Sequence, residues 1–155
     1  MNEPETIREI LACTRTLAVI GLTDREGRAS YGVSRWMQRQ GYRIVPVNPK
    51  ISASLGETAY PTLTAAVAAN PATGPNAETA GGIQLVNVFR APEFVPAIVE
   101  ETITLGLPYL WLQEGVIHPE AAAKAEAAGI KVVMDRCLLK ERMAAGWKTE
   151  TGASS

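Results

Sequence analysis

At 155 residues, with 46% hydrophobic and 20% charged side chains, the chain has the size and balance of one folded domain with a core of its own. A net charge of -1 excludes the basic footprint of a nucleic-acid or anionic-membrane binder, so any basic character must be local. Two cysteines far apart, Cys13 and Cys137, make no disulfide framework, and a single histidine cannot build a zinc site.

The start, Met1-Asn-Glu-Pro-Glu, lacks the basic-then-apolar form of a signal peptide, and no apolar run approaches transmembrane length; a cytoplasmic protein is expected. A helix over 4–13 leads to a strand over 17–21, Leu17-Ala-Val-Ile-Gly21, then a glycine-bearing turn and a helix over 32–40. In that helix Val33, Trp36 and Met37 fall at i, i+3 and i+4 and should face a sheet, with Arg35, Gln38 and Arg39 turned to water. Strands follow near 42–47, 83–89, 109–113 and 131–135, and helices near 62–69, 92–105, 119–128 and 137–145. Three of the helices end at a glycine that leads straight into an apolar run: Gly41, Gly106 and Gly129. Helix, glycine and buried strand in repetition is the pattern of parallel α/β winding. Residues 70–82, small and turn-rich, read as a mobile surface loop. Residues 1–147 read as a single domain and 148–155 as a flexible tail.

The fold expected is α/β with three layers: a Rossmann-like, five-stranded parallel sheet in the order 3-2-1-4-5, helices on both faces. In that order the ligand crevice opens between the loops after strands one and four, Gly21 to Gly32 and Gln113-Glu114-Gly115. Ser30 sits where an N-cap would sit, and Tyr31, Gly32 and Val33 would aim backbone N–H groups at a pyrophosphate, Gly32 permitting close approach. Thr23, Arg25 and Arg28 lie in the same turn. The turn lacks the G-x-G-x-x-G spacing, and the second strand ends in Asn48-Pro49-Lys50 where an NAD site offers a carboxylate. A lysine there suits a phosphate, which selects a nucleotide with an extra phosphate. Phe89 and Arg90 end the third strand, where Arg90 adds a cation or stacks on a base. Trp111 reads as core, His118 as a residue at a helix start, and Asp135 as a cap or a partner for Arg136. Cys137 reads as a buried thiol at the ligand-side end of the fifth strand, open to meeting a ligand thiol. No paired carboxylates, metal cluster or triad emerges, which points to a binder without a reaction centre.

Gly21-Leu-Thr-Asp with Tyr31-Gly32-Val33, Gly41-Tyr42 through Pro46-Val-Asn48-Pro49-Lys50, and Gly56-Glu followed by Tyr60-Pro-x-Leu63 recur together. With Val88-Phe89-Arg90-x-Pro92, Trp111-Leu-Gln113-x-Gly115 and Val133-Met-Asp135-Arg136-Cys137 they span nearly the whole chain. In this order the set resembles the stand-alone CoA-binding Rossmann proteins, which are similar to the CoA-binding domain of the succinyl-CoA synthetase alpha subunit. The resemblance implies that Thr23 and its neighbours hold the CoA pyrophosphate, that Lys50 serves the adenosine end, and that Gln113 to Gly115 line the site. The synthetase's phosphorylated histidine lies in another domain, and nothing here stands in for it. The function implied is binding of coenzyme A or an acyl-CoA by a non-catalytic carrier or regulatory protein. An NADP-linked oxidoreductase and a nucleotide-sensing interaction protein are the alternatives, and a homodimer or another protein partner stays open.

Overall fold

The computed structural model describes residues 1–71 and 82–146. The loop expected over 70–82 lies, apart from its ends, outside the described residues, as do Trp147 and the expected tail. The first half of the chain runs α1 (Pro4–Cys13), β1 (Thr16–Ile20), α2 (Ala29–Arg39), β2 (Arg43–Val47), β3 (Ala53–Ser54), β4 (Glu57–Thr58) and α3 (Leu63–Ala69). The second half runs β5 (Leu85–Val88), a 3-10 turn (Pro92–Phe94), α4 (Val95–Leu105), β6 (Tyr109–Leu112), α5 (Pro119–Ala127), β7 (Lys131–Met134) and α6 (Leu138–Ala145). Five of the strands form one parallel sheet, and β1, β5 and β6 are buried along their whole length. Such strands need apolar cover on both faces. Ile7, Ile10, Val33, Met37 and Leu138 of α1, α2 and α6 supply it on one side, and Leu63, Val95, Val99 and Ala122 of α3, α4 and α5 on the other.

The α/β three-layer class holds, but the strand order is β2-β1-β5-β6-β7, which is 2-1-3-4-5 among the five long strands. The expected order 3-2-1-4-5 is therefore corrected: the third long strand, β5, returns to the free side of β1 and pairs Leu17 with Leu85. The physical reason lies in β2. Arg43 N–H donates to Arg15 O and Val47 O accepts from Gly21 N–H on the β1 side, whereas Asn48 N–H donates outward to Tyr60 O. By alternation the nitrogen of Pro46 also faces outward, where it has no hydrogen to give. A strand with that gap suits an edge, not the interior position that the order 3-2-1 requires.

A short antiparallel hairpin, β3–β4, is an addition that the sequence reading lacked. Its turn places Leu55 at φ 55° and Gly56 at φ 77°, the left-handed pair that a tight hairpin needs. The hairpin braces the first turn, because Ser54 Oγ donates to Thr23 O (2.7 Å) and Gln38 Nε2 of α2 donates to Leu55 O (3.0 Å). On α2 the buried stripe is Ser30, Val33, Ser34 and Met37; Trp36 is only partly buried, a shift of the expected inner face.

Candidate functional site

With β5 beside β1, the direction of winding reverses between these two strands. The crevice is therefore flanked by the loops after β1 and β5, with the loop after β6 as an outer wall. This moves it from the expected gap between the first and fourth long strands. Gly21 occupies the tightest point. It sits at φ 90°, and a Cβ there would stand 2.4 Å from Phe89 O and 3.2 Å from Arg90 Cδ. The two loops touch because residue 21 has no side chain.

Beyond Gly21 the turn is held by its own hydroxyls. Thr23 N–H donates to Ser30 Oγ (3.3 Å), and Arg25 N–H donates to Thr23 Oγ1 (3.3 Å). Ser30 is not the N-cap. The helix starts at Ala29 with Arg28 in the cap position, and the buried Ser30 hydroxyl reaches back to close the turn instead. The expected anion donors are corrected in the same way. Tyr31 and Gly32 N–H both donate to Arg28 O, and Val33 lies deeper in the helix. In the first turn of α2 the Ala29 and Ser30 N–H groups come before the helix's own hydrogen-bond ladder. The helix dipole adds to their attraction for an anion. At Gly32 an added Cβ would meet nothing within 4 Å, so this glycine faces open space and fills no packing role. Arg25 and Arg28 are exposed in the turn.

Asn48 joins the second loop to the first. Its Nδ2 donates to Leu22 O (3.0 Å) and its Oδ1 accepts from Lys50 N–H (2.9 Å), so both ends of the amide shape the turn that carries exposed Pro49 and Lys50. Across the crevice, Phe89 N–H donates to Ile20 O (2.8 Å), and the Arg90 guanidinium stacks 3.8 Å from the Phe94 ring centroid. Arg90 lines two cavities. One, of about 230 Å³, lies beside Pro49, Pro61 and Phe94. The other, of about 360 Å³, runs from Ala29 and Val33 past Phe89 and Gln113 to Gly115, Val116 and Cys137.

The far wall of the larger cavity is fixed by three bonds. Gly115 N–H donates to Asp135 Oδ1 (2.8 Å), Trp111 Nε1 donates to Arg136 O (2.9 Å), and Lys140 Nζ pairs with Glu114 (3.1 Å). The Glu114 bond raises the Lys140 ammonium above the ordinary lysine value. Asp135 holds φ 62°, a left-handed conformation stabilised by its bond to the opposite loop. Trp111 is fully buried core, as expected. His118 is the N-cap of α5, where Nδ1 accepts from Ala121 N–H (3.1 Å). Among the described residues no group of three or more His, Cys, Asp or Glu could hold a metal ion. No helix among them is long and apolar enough to cross a membrane.

Of the expected site residues, Val33, Phe89, Arg90, Gln113 and Gly115 line the larger cavity, and Pro49 and Arg90 the smaller one. Gly21 abuts Phe89 and Arg90, and Thr23, Ser30, Asn48 and Lys50 lie in or close the adjoining turns. Sequence reasoning missed Ala29, the Pro61–Phe94 cavity and Asn87 beneath Gln113. The last left a signal: an asparagine inside the apolar run Leu85-Val-Asn-Val88, against strand propensity. The CoA binding domain model matches residues 15–143. The chain belongs to the CoA-binding domain family. The uncharacterized protein YneT of Bacillus subtilis (strain 168) is 39% identical over 132 residues, 85% of this chain and 88% of that one. Prb, the PH1109 protein redesigned for binding, superposes at a TM-score of 0.79 with 28% identity over 97% of each chain. The structure of cell-free ID.343 from Thermus thermophilus gives a TM-score of 0.76 at 31% identity, over 92% of this chain and 98% of that one. In this member of the CoA-binding domain family the start of α2 borders the larger cavity, and Arg90 lines both cavities.

Proposed function

We propose that the protein binds coenzyme A or an acyl-CoA as a small, stand-alone, non-catalytic carrier or regulatory protein of the cytoplasm. The observation that carries this reading is Arg90, which lines both cavities, the larger of which borders Ala29 at the start of α2. A ligand with a base at one end, phosphates in the middle and an uncharged arm at the other matches that sequence of surfaces. The adenine takes the proline- and Phe94-lined cavity, the pyrophosphate takes the N–H groups of Ala29 and Ser30 with Arg25 and Arg28 nearby, and the arm takes the larger cavity. Lys50 takes the 3′-phosphate that distinguishes CoA from its dephospho form. Thr23 and Asn48 act by holding the two loops in place. The non-catalytic part rests on His118, which is committed to a helix cap, and on the lack of a nucleophile–base pair around the cavities among the described residues. A cytoplasmic location is supported by Cys13 and Cys137, both free thiols.

A thermal-shift panel of CoA, acetyl-CoA, NAD, NADP and ATP tests the proposal. A ligand at a hundredfold its dissociation constant adds about 2.7 kcal/mol of stability. CoA and acetyl-CoA should raise the melting temperature at micromolar to sub-millimolar concentration, and the others should not. A shift with NADP alone would replace the carrier by an oxidoreductase.

A further inference from the structure

The face of the sheet under α2 carries a buried polar pair that the assignments above leave unused. Asn87 sits on the central strand β5, in register with Val19 on one side and Trp111 on the other, and is 0% exposed. Gln113, 4% exposed, donates Nε2–H to Asn87 Oδ1 at 2.8 Å. Asn87 Nδ2 has no hydrogen-bond partner among the described residues. A buried amide donor without an acceptor lowers stability, and an apolar pair of the same shape would avoid the loss. Two alkyl side chains would therefore serve the fold at least as well as this pair. Its position supplies the reason for keeping it. Gln113 lines the larger cavity, and so does Phe89, the next residue on the Asn87 side of β5.

We propose that Asn87 is a positioning residue that makes the Asn87–Gln113 pair a reader of the amide-bearing arm of CoA. The inference rests on the CoA reading above. The bond to Asn87 takes one of the two Gln113 N–H donors and fixes the amide's orientation, which leaves the second N–H and Oε1 of Gln113 for the cavity that Gln113 lines. A secondary amide has one N–H and one C=O, and the oriented Gln113 offers an acceptor and a donor to match them. The remaining cavity wall, with Val33, Phe89, Pro92 and Val116, is apolar and matches the methylene and methyl parts of the arm. The pair thus confers selectivity for ligands with the arm over nucleotides that carry the same phosphates without it.

Calorimetry with CoA and with 3′-phosphoadenosine 5′-diphosphate, which keeps the base and phosphates but lacks the arm, tests this on the whole protein. Asn87→Leu should weaken CoA about tenfold and leave the armless nucleotide within about twofold. The double variant Asn87→Leu with Gln113→Met guards against misfolding in the single one. It should melt at or above the wild type and show the same selective loss of CoA affinity. Equal losses for the two ligands, or undiminished CoA binding, would overturn the role of Asn87 while the CoA reading stands. Wild-type protein that binds neither ligand would overturn both.

Discussion

Replacing Gly21 with alanine should damage the fold more than any other single methyl addition at a described glycine. Its φ of 90° lies where L side chains are strained, at a cost of about 1–2 kcal/mol. The new Cβ would also stand 2.4 Å from Phe89 O and 3.1 Å from Phe89 C, and both atoms belong to backbone tied to Ile20 by a 2.8 Å hydrogen bond. No flexible side chain end can yield there, so β1 and β5 must separate at the switch point, which adds about 1–3 kcal/mol. The sum of about 2–5 kcal/mol is a large part of the 5–15 kcal/mol typical of a domain. Urea unfolding followed by tryptophan fluorescence should show the midpoint falling by about 1–2.5 M at an m-value near 2 kcal/mol/M. A midpoint within about 0.3 M of the wild type would refute the close approach of the two loops.

Gly32→Ala makes the opposite test, since its Cβ would meet nothing within 4 Å. It should stabilise the free protein by about 0.5–1 kcal/mol through helix propensity and weaken CoA binding, as read by melting temperature and calorimetry together. Glu9 joins α1 to the sheet by accepting from Lys131 Nζ (2.5 Å) and Tyr109 OH (2.9 Å), and those bonds, Lys131 first, lower its carboxyl below the ordinary value. Because the folded value is the lower one, this contribution is present above the ordinary glutamate range and is lost as pH falls through the folded value. Glu9→Gln should thus lower the melting temperature at pH 7 by the equivalent of about 0.2–1 kcal/mol, solvent screening included, and the gap should close toward pH 3. A gap that is unchanged or widens on acidification would contradict the assignment.

The strands and helices were readable because each relies on a local signal. An apolar run buried on two faces, entered through a glycine, announces a parallel strand before any partner is known, and every long strand and helix lies within three residues of its expected ends. Strand order depends on which side of β1 the chain returns to, and that choice has no comparable local mark. Pro46 was the available hint, since it favours an edge for β2. The β3–β4 hairpin escaped notice because two-residue strands show no alternation and are fixed by contacts to Thr23 and Gln38. At the site, Gly21, Arg90, Gln113 and Gly115 stood out by their place after apolar runs. Ser30 misled because a serine before a helix has two uses, and here its hydroxyl closes the preceding turn instead of capping the helix. Asn87 was hidden inside a strand, where only its three-dimensional partner reveals what the amide does.

The central claim is recognition of CoA through its 3′-phosphate, and a calorimetric cycle tests it most directly: wild type and Lys50→Ala, each titrated with CoA and dephospho-CoA. Lys50 is exposed at the end of β2, with its backbone fixed by Asn48. A charge-assisted contact with phosphate contributes about 1.5–3 kcal/mol, so the substitution should weaken CoA by roughly ten- to a hundredfold and dephospho-CoA by much less. Equal losses for the two ligands would remove Lys50 from the 3′-phosphate, and wild-type protein that binds neither at millimolar concentration would contradict CoA recognition itself.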